Sequence, residues 1–327
     1  MPTLMSMANR SQFTRGYTIA LISAAILSTT AIFIRHLTQT YDLPPLVLAF
    51  WRDVMVVLTL LVALGFLRPR LLAIPRQHLC YLAGYGFVLA IFNALWTFSV
   101  ALNGAAIATV LVYSSAAFTA LLGWWFLQER LDWVKLLAIV FSLSGCILVS
   151  GALTEAIDSI NLGGVVVGVL TGLAYAIYSL LGRAAAQRGL NSWTTLIVIF
   201  AFATVFLGLF ILLPEGFLSG DETRLNDLFW LGDAWDGWGV LFLLAAGPTV
   251  AGFGLYIMSL SYLPSSVANL IATLEPAFTA VTAYFFLGER LTGIQIGGSL
   301  LILVGVGSLR IYENWALGRG DPGLPSA

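Results

Sequence analysis

Residues 117–131 read AFTALLGWWFLQERL, and residues 277–291 read AFTAVTAYFFLGERL. Both segments begin with Ala-Phe-Thr-Ala and end with Glu-Arg-Leu, with the same distance between these two motifs. Apolar helices often resemble one another through Ala and Leu, but chance does not easily repeat a Glu-Arg pair at a fixed distance from a tetrapeptide. The sequence therefore indicates an internal duplication, with its two copies 160 residues apart.

The composition indicates that lipid surrounds these segments. Of the 327 residues, 59% are hydrophobic and 9% are charged, whereas an ordinary soluble domain has about 25% charged residues. A water-soluble fold of this length would lack the charged side chains to cover its surface. We therefore expect the bilayer to be the outer solvent. The 14 Arg and the single Lys form no basic arm or patch, so a nucleic-acid partner is not expected.

Ten segments are long and apolar enough to cross a membrane, since a spanning helix needs about 20 mostly apolar residues. They lie near 16–37, 44–67, 78–99, 104–127, 133–151, 161–182, 192–213, 237–260, 264–287 and 292–312. The first is too long for the core of a signal peptide and is followed by further spans, so we expect it to be retained. The sequence therefore predicts an all-α membrane protein of ten transmembrane helices.

The distribution of cationic side chains predicts the orientation of these helices. An even number of spans places both termini on one side, and cytoplasmic loops carry an excess of Lys and Arg. With the termini inside, eleven cationic residues fall in cytoplasmic segments, and only Arg35, Arg224 and Arg290 fall in outer ones. We therefore expect both termini to be cytoplasmic.

The duplicated segments belong to spans four and nine, which are five spans apart and so cross the membrane in opposite directions. This predicts two inverted repeats at 16–151 and 161–312, with a cytoplasmic tail at 1–15 and another at 313–327. Inverted repeats recur in secondary transporters, where the substrate lies near the midplane and access alternates between the two sides. A transporter is thus favoured over a receptor or a structural protein.

Two motifs of the second repeat resemble the signature of the drug/metabolite transporter superfamily, in its EamA branch. They are Leu274-Glu275-Pro276-Ala277 and Leu287-Gly288-Glu289-Arg290-Leu291. In the first repeat, Ser115-Ala116-Ala117 stands in place of Glu-Pro-Ala and Gln128 in place of the Gly. Further resemblance lies in residues 43–52 and 173–178, so it extends over nearly the whole chain.

The resemblance implies a carrier of ten helices, built as two inverted five-helix repeats around a central cavity, in the cell inner membrane. Within the superfamily the sequence is most similar to the bacterial aromatic amino-acid exporters, which implies outward transport of aromatic and other amino acids. The alternatives are an exporter of other small metabolites or drugs, or a channel-like facilitator. No cofactor is implied, and we expect a monomer.

Glu275 is the first candidate for a functional residue, because an ionisable group at membrane depth is costly unless it faces protein or water. It lies about eleven residues into span nine, close to the midplane, and Pro276 frees a backbone carbonyl one turn earlier, which can loosen the helix. Glu275 could carry a proton or bind a substrate ammonium group. It could equally be a structural Glu that ties span nine to a neighbour.

Arg52 and Asp53 lie nearer the outer end of span two. Adjacent residues of a helix point about 100° apart, so we do not expect them simply to neutralise each other, and either could pair across helices. Arg52 is interpreted mainly as a structural or interfacial anchor, with binding of a substrate carboxylate as the alternative. Both residues are also candidates for a proton or gating role.

Amide and aromatic residues form a second group of candidates. Asn93 and Trp96 share a face of span three, and Tyr175 and Tyr178 share a face of span six, so each face could line a cavity for an amino acid. The aromatic residues could equally be packing or interface anchors. Asn93 is the stronger candidate, because an unpaired amide in lipid is penalised.

Tyr113, Ser114 and Ser115 complete the candidates, since they lie at the depth that corresponds to residues 273–275 of the other repeat. Other polar or small residues are interpreted as structural. The stripe of Gly164, Gly168 and Gly172 favours close helix packing. Glu129-Arg130 and Glu289-Arg290 lie at helix ends, where local pairing or snorkelling is expected.

Enzymatic activity inside the membrane is not expected. Such an enzyme needs a Ser–His pair, clustered acids or His ligands, whereas His36 and His78 are the only histidines and both lie at predicted helix ends. Cys80 and Cys146 are far apart and lack metal-type spacing, so no metal site is expected. A channel is less easily excluded, although no ring of like residues or filter-like loop is visible.

Overall fold

The computed structural model describes residues 2–73, 76–150, 161–212, 228–287 and 292–318. This part of the chain is built from helices joined by short turns, and it contains no strand. The α-helices are α1 (Pro2–Leu27), α2 (Thr30–Tyr41), α3 (Pro45–Leu67), α4 (Leu79–Tyr113), α5 (Ser115–Leu127), α6 (Trp133–Ser150), α7 (Leu162–Gln187), α8 (Ser192–Ile211), α9 (Trp235–Leu244), α10 (Gly254–Ser259), α11 (Ser265–Ala272), α12 (Glu275–Leu287) and α13 (Gly293–Gly318). A π-helical segment, Ala245–Phe253, joins α9 to α10. The predicted all-α fold is confirmed.

The predicted spans correspond closely to these helices. Within the described residues, nine segments are long and apolar enough to cross a membrane. The one remaining predicted span, span nine at 264–287, is divided between α11 and α12. Helix α1 begins at Pro2, so the chain is already helical within the segment 1–15 that the sequence assigned to a tail.

Spans three and four were predicted as separate helices, but α4 covers span three and continues into span four as far as Tyr113. In a straight helix, Ser99 and Leu111 would be about 18 Å apart along the axis. Yet a Cβ placed on Gly168 of α7 would lie 2.8 Å from Ser99 Oγ and 2.8 Å from Leu111 Cβ. The chain must therefore reverse its direction between Ser99 and Leu111, so that α4 supplies span three and the start of the antiparallel span four, which α5 completes.

The first predicted span, 16–37, was expected to be one helix, but the structure divides it at Ser28 and Thr29. The Ser28 hydroxyl donates to the Ala25 carbonyl at 2.7 Å, and the Thr29 hydroxyl donates to the Ile26 carbonyl at 2.8 Å. Such side-chain bonds compete with the regular helical ladder. Thr279 of α12 also donates to the Ser28 carbonyl, at 3.0 Å. The break is thus satisfied by hydroxyl groups, as a lipid-excluded site requires.

The inverted relation of the two repeats is visible where α6 packs antiparallel against α13. A Cβ at Gly145 would lie 2.6 Å from the carbonyl oxygen of Gly298, and a Cβ at Gly305 would lie 2.8 Å from that of Ala138. At the 160-residue offset, Gly305 corresponds to Gly145 and Gly298 to Ala138. Each contact is therefore the copy of the other with the repeats exchanged, which is the signature of a two-fold relation. Glycine allows this close backbone approach.

Other helix contacts also connect each repeat to the equivalent part of the other repeat. The first helix of the second repeat, α7, packs on α4 and α5 of the first repeat. Conversely, α1 packs on the π-helical segment, α10 and α11 of the second repeat. Helices α3 and α8, the second spans of their repeats, pack against each other. The halves are therefore interlocked rather than placed side by side.

Both termini of the described bundle lie at one end, as an even number of spans requires. The Tyr17 hydroxyl near the start of span one donates to the Glu313 carboxylate at the end of span ten. Arg310 also donates to the Thr14 hydroxyl, at 2.7 Å. We call this the terminus end. At the opposite end, Tyr41 donates to Asp236.

Candidate functional site

Spans four and nine are each interrupted, and the two interruptions have the same backbone geometry. At the first break, the Ser114 N–H donates to the Leu111 carbonyl at 3.1 Å. At the second, the Leu274 N–H donates to the Ile271 carbonyl at 3.0 Å, and these residues correspond to Ser114 and Leu111 at the 160-residue offset. The loosening predicted from Pro276 is confirmed. Discontinuous spanning helices commonly supply substrate sites near the midplane.

The side chains of Tyr113 and Glu275 lie close enough to interact, and they connect the two breaks. Tyr113 is the last residue of α4, and Glu275 is the first residue of α12. Glu275 keeps some accessible surface, although its neighbours Leu274 and Pro276 are buried. Within the described residues, the structure gives the Glu275 carboxyl group no salt bridge to a cation. This acid is therefore placed to receive a positively charged ligand group.

An aromatic stack lies beside the breaks. Tyr175 stacks on Phe92 with ring centroids 5.1 Å apart, and on Tyr256 with centroids 5.7 Å apart. Tyr178 stacks on Tyr256 at 6.3 Å. All four side chains are buried. The predicted pair on α7 is thus brought against α4 and α10, where aromatic faces can pack an apolar body or attract a cation.

A buried hydrogen-bond network around Asn269 was missed by the sequence analysis. Ser115 donates to the Asn269 carbonyl at 2.9 Å, and the Asn269 amide nitrogen donates to Ser179 at 3.1 Å. The Ser179 and Tyr256 hydroxyl groups are 2.7 Å apart. The network joins the N-terminus of α5 to the aromatic stack. The signal was present, because an amide six residues before Glu275 needs a partner as Asn93 does.

Arg52, Asp53 and Asn93 form a separate buried triad. Arg52 Nη2 donates to Asn93 Oδ1 at 2.8 Å, and Asn93 Nδ2 donates to Asp53 Oδ2 at 2.9 Å. Arg52 Nε also lies 3.4 Å from Asp53 Oδ1. Both residues pair across helices with Asn93 of α4, as expected, but the long Arg side chain also folds back to contact Asp53, which the 100° separation did not suggest. The triad satisfies its own members.

Ser114 and Trp96 occupy the margins of the site. The Ser114 hydroxyl donates to the Leu111 carbonyl at 2.6 Å, and its oxygen lies directly against Gly172 of α7. Gly172 and Gly168 therefore permit the close packing that their spacing predicts. Trp96 lies half-buried on α4, packed against the hydrophobic core one turn beyond Asn93.

The whole bundle matches a known family in two segments. The profile of the EamA-like transporter family matches residues 14–151 and again residues 162–310. The chain belongs to the EamA-like transporter family. The double match agrees with the two-fold exchange of helix contacts, and the family consists of transporters rather than enzymes.

Relatives of this EamA-like transporter include amino-acid exporters. The chain is 26% identical to a protein of Archaeoglobus fulgidus described as an uncharacterized transporter, over 89% of this chain and 94% of that protein. It is 27% identical to the threonine/homoserine exporter RhtA of Salmonella typhimurium, over 72% of each chain. It is 25% identical to a probable amino-acid metabolite efflux pump of the same organism, over 81% of this chain and 85% of the pump.

A solved crystal structure shares the fold of this EamA-like transporter. It superimposes with a TM-score of 0.72, and the superposition covers 94% of this chain and 99% of the other. The sequence identity is 15%, so this likeness shows the fold alone.

The structure thus sorts the predicted site residues into two groups. Tyr113, Ser114 and Glu275 lie at the two breaks, and Tyr175 and Tyr178 lie in the aromatic stack beside them. Arg52, Asp53 and Asn93 lie in the triad, which is next to the stack because Phe92 adjoins Asn93. The first group has the composition of a ligand site, and the second is satisfied internally.

Proposed function

We propose that this transporter exports amino acids, with a broad range that includes aromatic ones, across the inner membrane by alternating access. The observation that carries the proposal is the placement of Glu275 between two repeat-related helix breaks, partly accessible and next to Tyr113. A carboxylate at membrane depth with no described cationic partner suits the ammonium group of a substrate.

The first break supplies the complementary charge. The first backbone N–H groups of a helix have no partners within that helix, and the helix dipole favours a negative group there. Helix α5 begins at Ser115, two residues after Tyr113, so its N-terminus and the Glu275 carboxyl are separated by about one tyrosine side chain. A zwitterion with its ammonium group at Glu275 and its carboxylate at α5 fits this polarity.

The aromatic stack supports the breadth of the proposed range. Tyr175, Tyr178 and Tyr256 offer large apolar faces with few fixed hydrogen-bonding groups, which accommodate side chains of different sizes. Two relatives are named as exporters of threonine and homoserine or of amino-acid metabolites. Both support an amino acid as the solute of this chain.

The proposed arrangement in the membrane places both termini in the cytoplasm, with the repeats at 16–151 and 161–312. The excess of Lys and Arg in the corresponding segments supports this orientation. An alkaline phosphatase fused after residue 327 should be inactive, because the enzyme needs export to fold. An active fusion would show that the C-terminus lies outside the cytoplasm and would contradict the proposed orientation.

The function is tested by counter-flow in liposomes that contain the purified protein. Liposomes are loaded with one unlabelled amino acid, and uptake of labelled Thr, Met, Phe and Trp is followed. Liposomes that contain the same amount of folded Glu275→Ala protein serve as the matched control. We expect saturable, trans-stimulated uptake of several amino acids by the unmodified protein only.

Two outcomes would contradict the proposal. Movement of nucleotide sugars or cationic drugs without any amino acid would favour the alternative of a metabolite or drug exporter. Uptake that neither saturates nor responds to the internal solute would favour a channel-like facilitator.

A further inference from the structure

Glu129, just beyond the end of α5, binds the N-terminus of α11 in the other repeat. One carboxylate oxygen accepts bonds from the Ser265 N–H and the Ser265 hydroxyl, both at 2.6 Å. The second oxygen accepts bonds from the Ser266 N–H, at 3.1 Å, and from the Ser266 hydroxyl. Four donors from one repeat thus converge on one carboxylate of the other, in the geometry of a helix cap supplied from outside the helix.

A buried cation completes this contact. Lys135 is the single lysine of the chain, and only 5% of it is exposed. Its ammonium group donates to the Ser266 hydroxyl at 3.1 Å and to the Arg130 carbonyl at 2.5 Å. Ser266 therefore accepts from Lys135 while it donates to Glu129. We call Glu129, Lys135, Ser265 and Ser266 the latch.

The latch lies at the terminus end of the bundle and bridges the two repeats. Just before Ser265, Leu263 lies against Gly16 near the start of span one, with its Cγ 2.8 Å from a Cβ placed there. Arg15 lies over the ring of Tyr262, 5.3 Å from its centroid. Any motion that separates the repeats at this end must therefore pull Ser265 and Ser266 away from Glu129.

Gly123 of α5 leaves the space that the Glu129 carboxylate occupies. A Cβ on Gly123 would lie 2.9 Å from Glu129 Oε2 and 3.4 Å from Ser265 Oγ. Only glycine leaves room there for the carboxylate against α5. Ordinary pairing or snorkelling, as the sequence suggested for Glu129, would not need this space.

The second repeat keeps the acid but not its surroundings. At the 160-residue offset, Glu129 corresponds to Glu289, whereas Ser265 and Ser266 correspond to Ala105 and Ala106. Gly123 likewise corresponds to Ala283. In inverted-repeat carriers, the opposite-facing state follows from movement of one repeat against the other around the site. An equivalent contact at the other end would therefore lack both hydroxyl donors.

We propose that the latch holds the carrier closed at the terminus end, and that its asymmetry makes this closed state the resting state. The proposal rests on alternating access, as in the proposed function, but not on the identity of the solute. The alternative is a static cap that stays bonded in every state. Only a device that opens will change the populations of two conformations when it is weakened.

The test measures the distance across the latch by electron–electron double resonance on the full chain in lipid nanodiscs. The background is Cys80→Ser, and spin labels are attached at Trp133→Cys and Ser261→Cys, two exposed positions on opposite sides of the contact. Cys146 is buried and should remain unlabelled. Distances are recorded without any solute for the background protein and for each latch variant.

Two variants weaken the latch in different ways. Glu129→Gln removes the charge, and Ser265→Ala with Ser266→Ala reproduces the sequence of the other repeat while keeping both backbone donors. We expect the population ratio of long to short distances to rise about tenfold for each, which corresponds to about 1.4 kcal/mol. Ser308→Ala is the matched control, because Ser308 donates only to Gly305 of its own helix, at 2.9 Å. It should leave the ratio unchanged.

An unchanged distance distribution in the folded variants would overturn the proposal. If Glu129→Gln does not fold, the distances of the Ser265→Ala, Ser266→Ala variant alone decide between a latch and a static cap. A variant with lower thermal stability but no longer distance identifies a static cap. The measurement contains no amino acid. A shift in distance with no amino-acid transport would therefore contradict the proposed solute but not the proposed role of the latch.

Discussion

The two helix breaks share one geometry but differ in chemistry. Ser114 and Leu274 make equivalent hydrogen bonds at equivalent positions, yet one break continues as Ser-Ala-Ala and the other as Glu-Pro-Ala. The first therefore presents a helix N-terminus, and the second presents an acid. Duplication preserved the backbone, and later divergence gave the pair opposite polarity. A symmetric backbone thus carries an asymmetric site, which suits a ligand with two unlike charges.

The largest expected effect comes from removing the acid from this pair. Glu275→Gln keeps the size and the ability to accept a hydrogen bond from Tyr113 but loses the charge, so transport of zwitterionic amino acids should fall at least about tenfold. Folding should survive. Initial rates of counter-flow in liposomes, normalised to folded protein and taken across a pH series, measure the effect.

The structural interpretation of Glu275 predicts a different pattern. Glu275→Gln would then transport normally at every pH, since an amide can also accept a hydrogen bond from a neighbour such as Tyr113, whereas Glu275→Ala would lower thermal stability. A normal rate and pH profile for the Gln variant would therefore remove Glu275 from the site and leave the two breaks as purely structural features.

The exchange symmetry itself is tested at α6 and α13. Gly145→Val and Gly305→Val each drive a side chain into the facing backbone, so each should destabilise the protein by about 1–3 kcal/mol. Because the two contacts are copies, the losses should be similar. Gly307→Val is the matched control, since nothing lies within 4 Å of a Cβ there. Thermal unfolding followed by size-exclusion chromatography provides the comparison, and a loss confined to one glycine would contradict the two-fold relation.

Much of this architecture was predictable because lipid restricts the possible folds. The lengths of the apolar segments predicted the spans, and the shared Glu-Arg-Leu motif predicted the inverted repeat. The equivalent contacts of Gly145 with Gly298 and of Gly305 with Ala138 agree with that repeat. An interruption near Pro276 was expected from the chemistry of proline. Helix interruptions at Ser28 and Ser114 were not predicted, because serine breaks a helix only where tertiary contacts favour the alternative bonds.

The site was harder to predict than the fold for a related reason. Sequence identifies polar residues at membrane depth, but it does not reveal which of them satisfy one another. Asn93 and Glu275 looked alike as isolated polar groups. Only their partners distinguish the closed triad with Arg52 and Asp53 from the partly accessible acid beside Tyr113. The role of Asn269 likewise follows only from its partners, Ser115 and Ser179, which are distant in sequence.

The triad offers a contrast with the second break, since each contains an acidic side chain inside the bundle. Asn93→Ala should remove the bridge and leave Arg52 and Asp53 with only two long contacts, both of 3.4 Å. We expect a stability loss of about 1–3 kcal/mol, the usual cost of leaving buried partners unsatisfied. Amino-acid affinity per folded molecule should change little. A large change in substrate affinity at unchanged stability would instead place Asn93 in the binding site.

The smallest effect is expected from Pro276→Ala, which makes the second break resemble the first. Proline removes a backbone donor and disfavours a straight helix, so it would ordinarily be regarded as the cause of the interruption. The first break forms the same hydrogen bonds with Ala116 at the equivalent position, so proline is not required for this geometry. We therefore expect the Ala variant to keep its break and to transport within about threefold of the unmodified protein, because only a modest helix preference changes. Hydrogen exchange over residues 271–277, compared with that over residues 111–117, measures whether the interruption persists. Strong new protection confined to the second break, together with lost transport, would show that the two breaks have separate causes and that their common geometry does not come from the repeat.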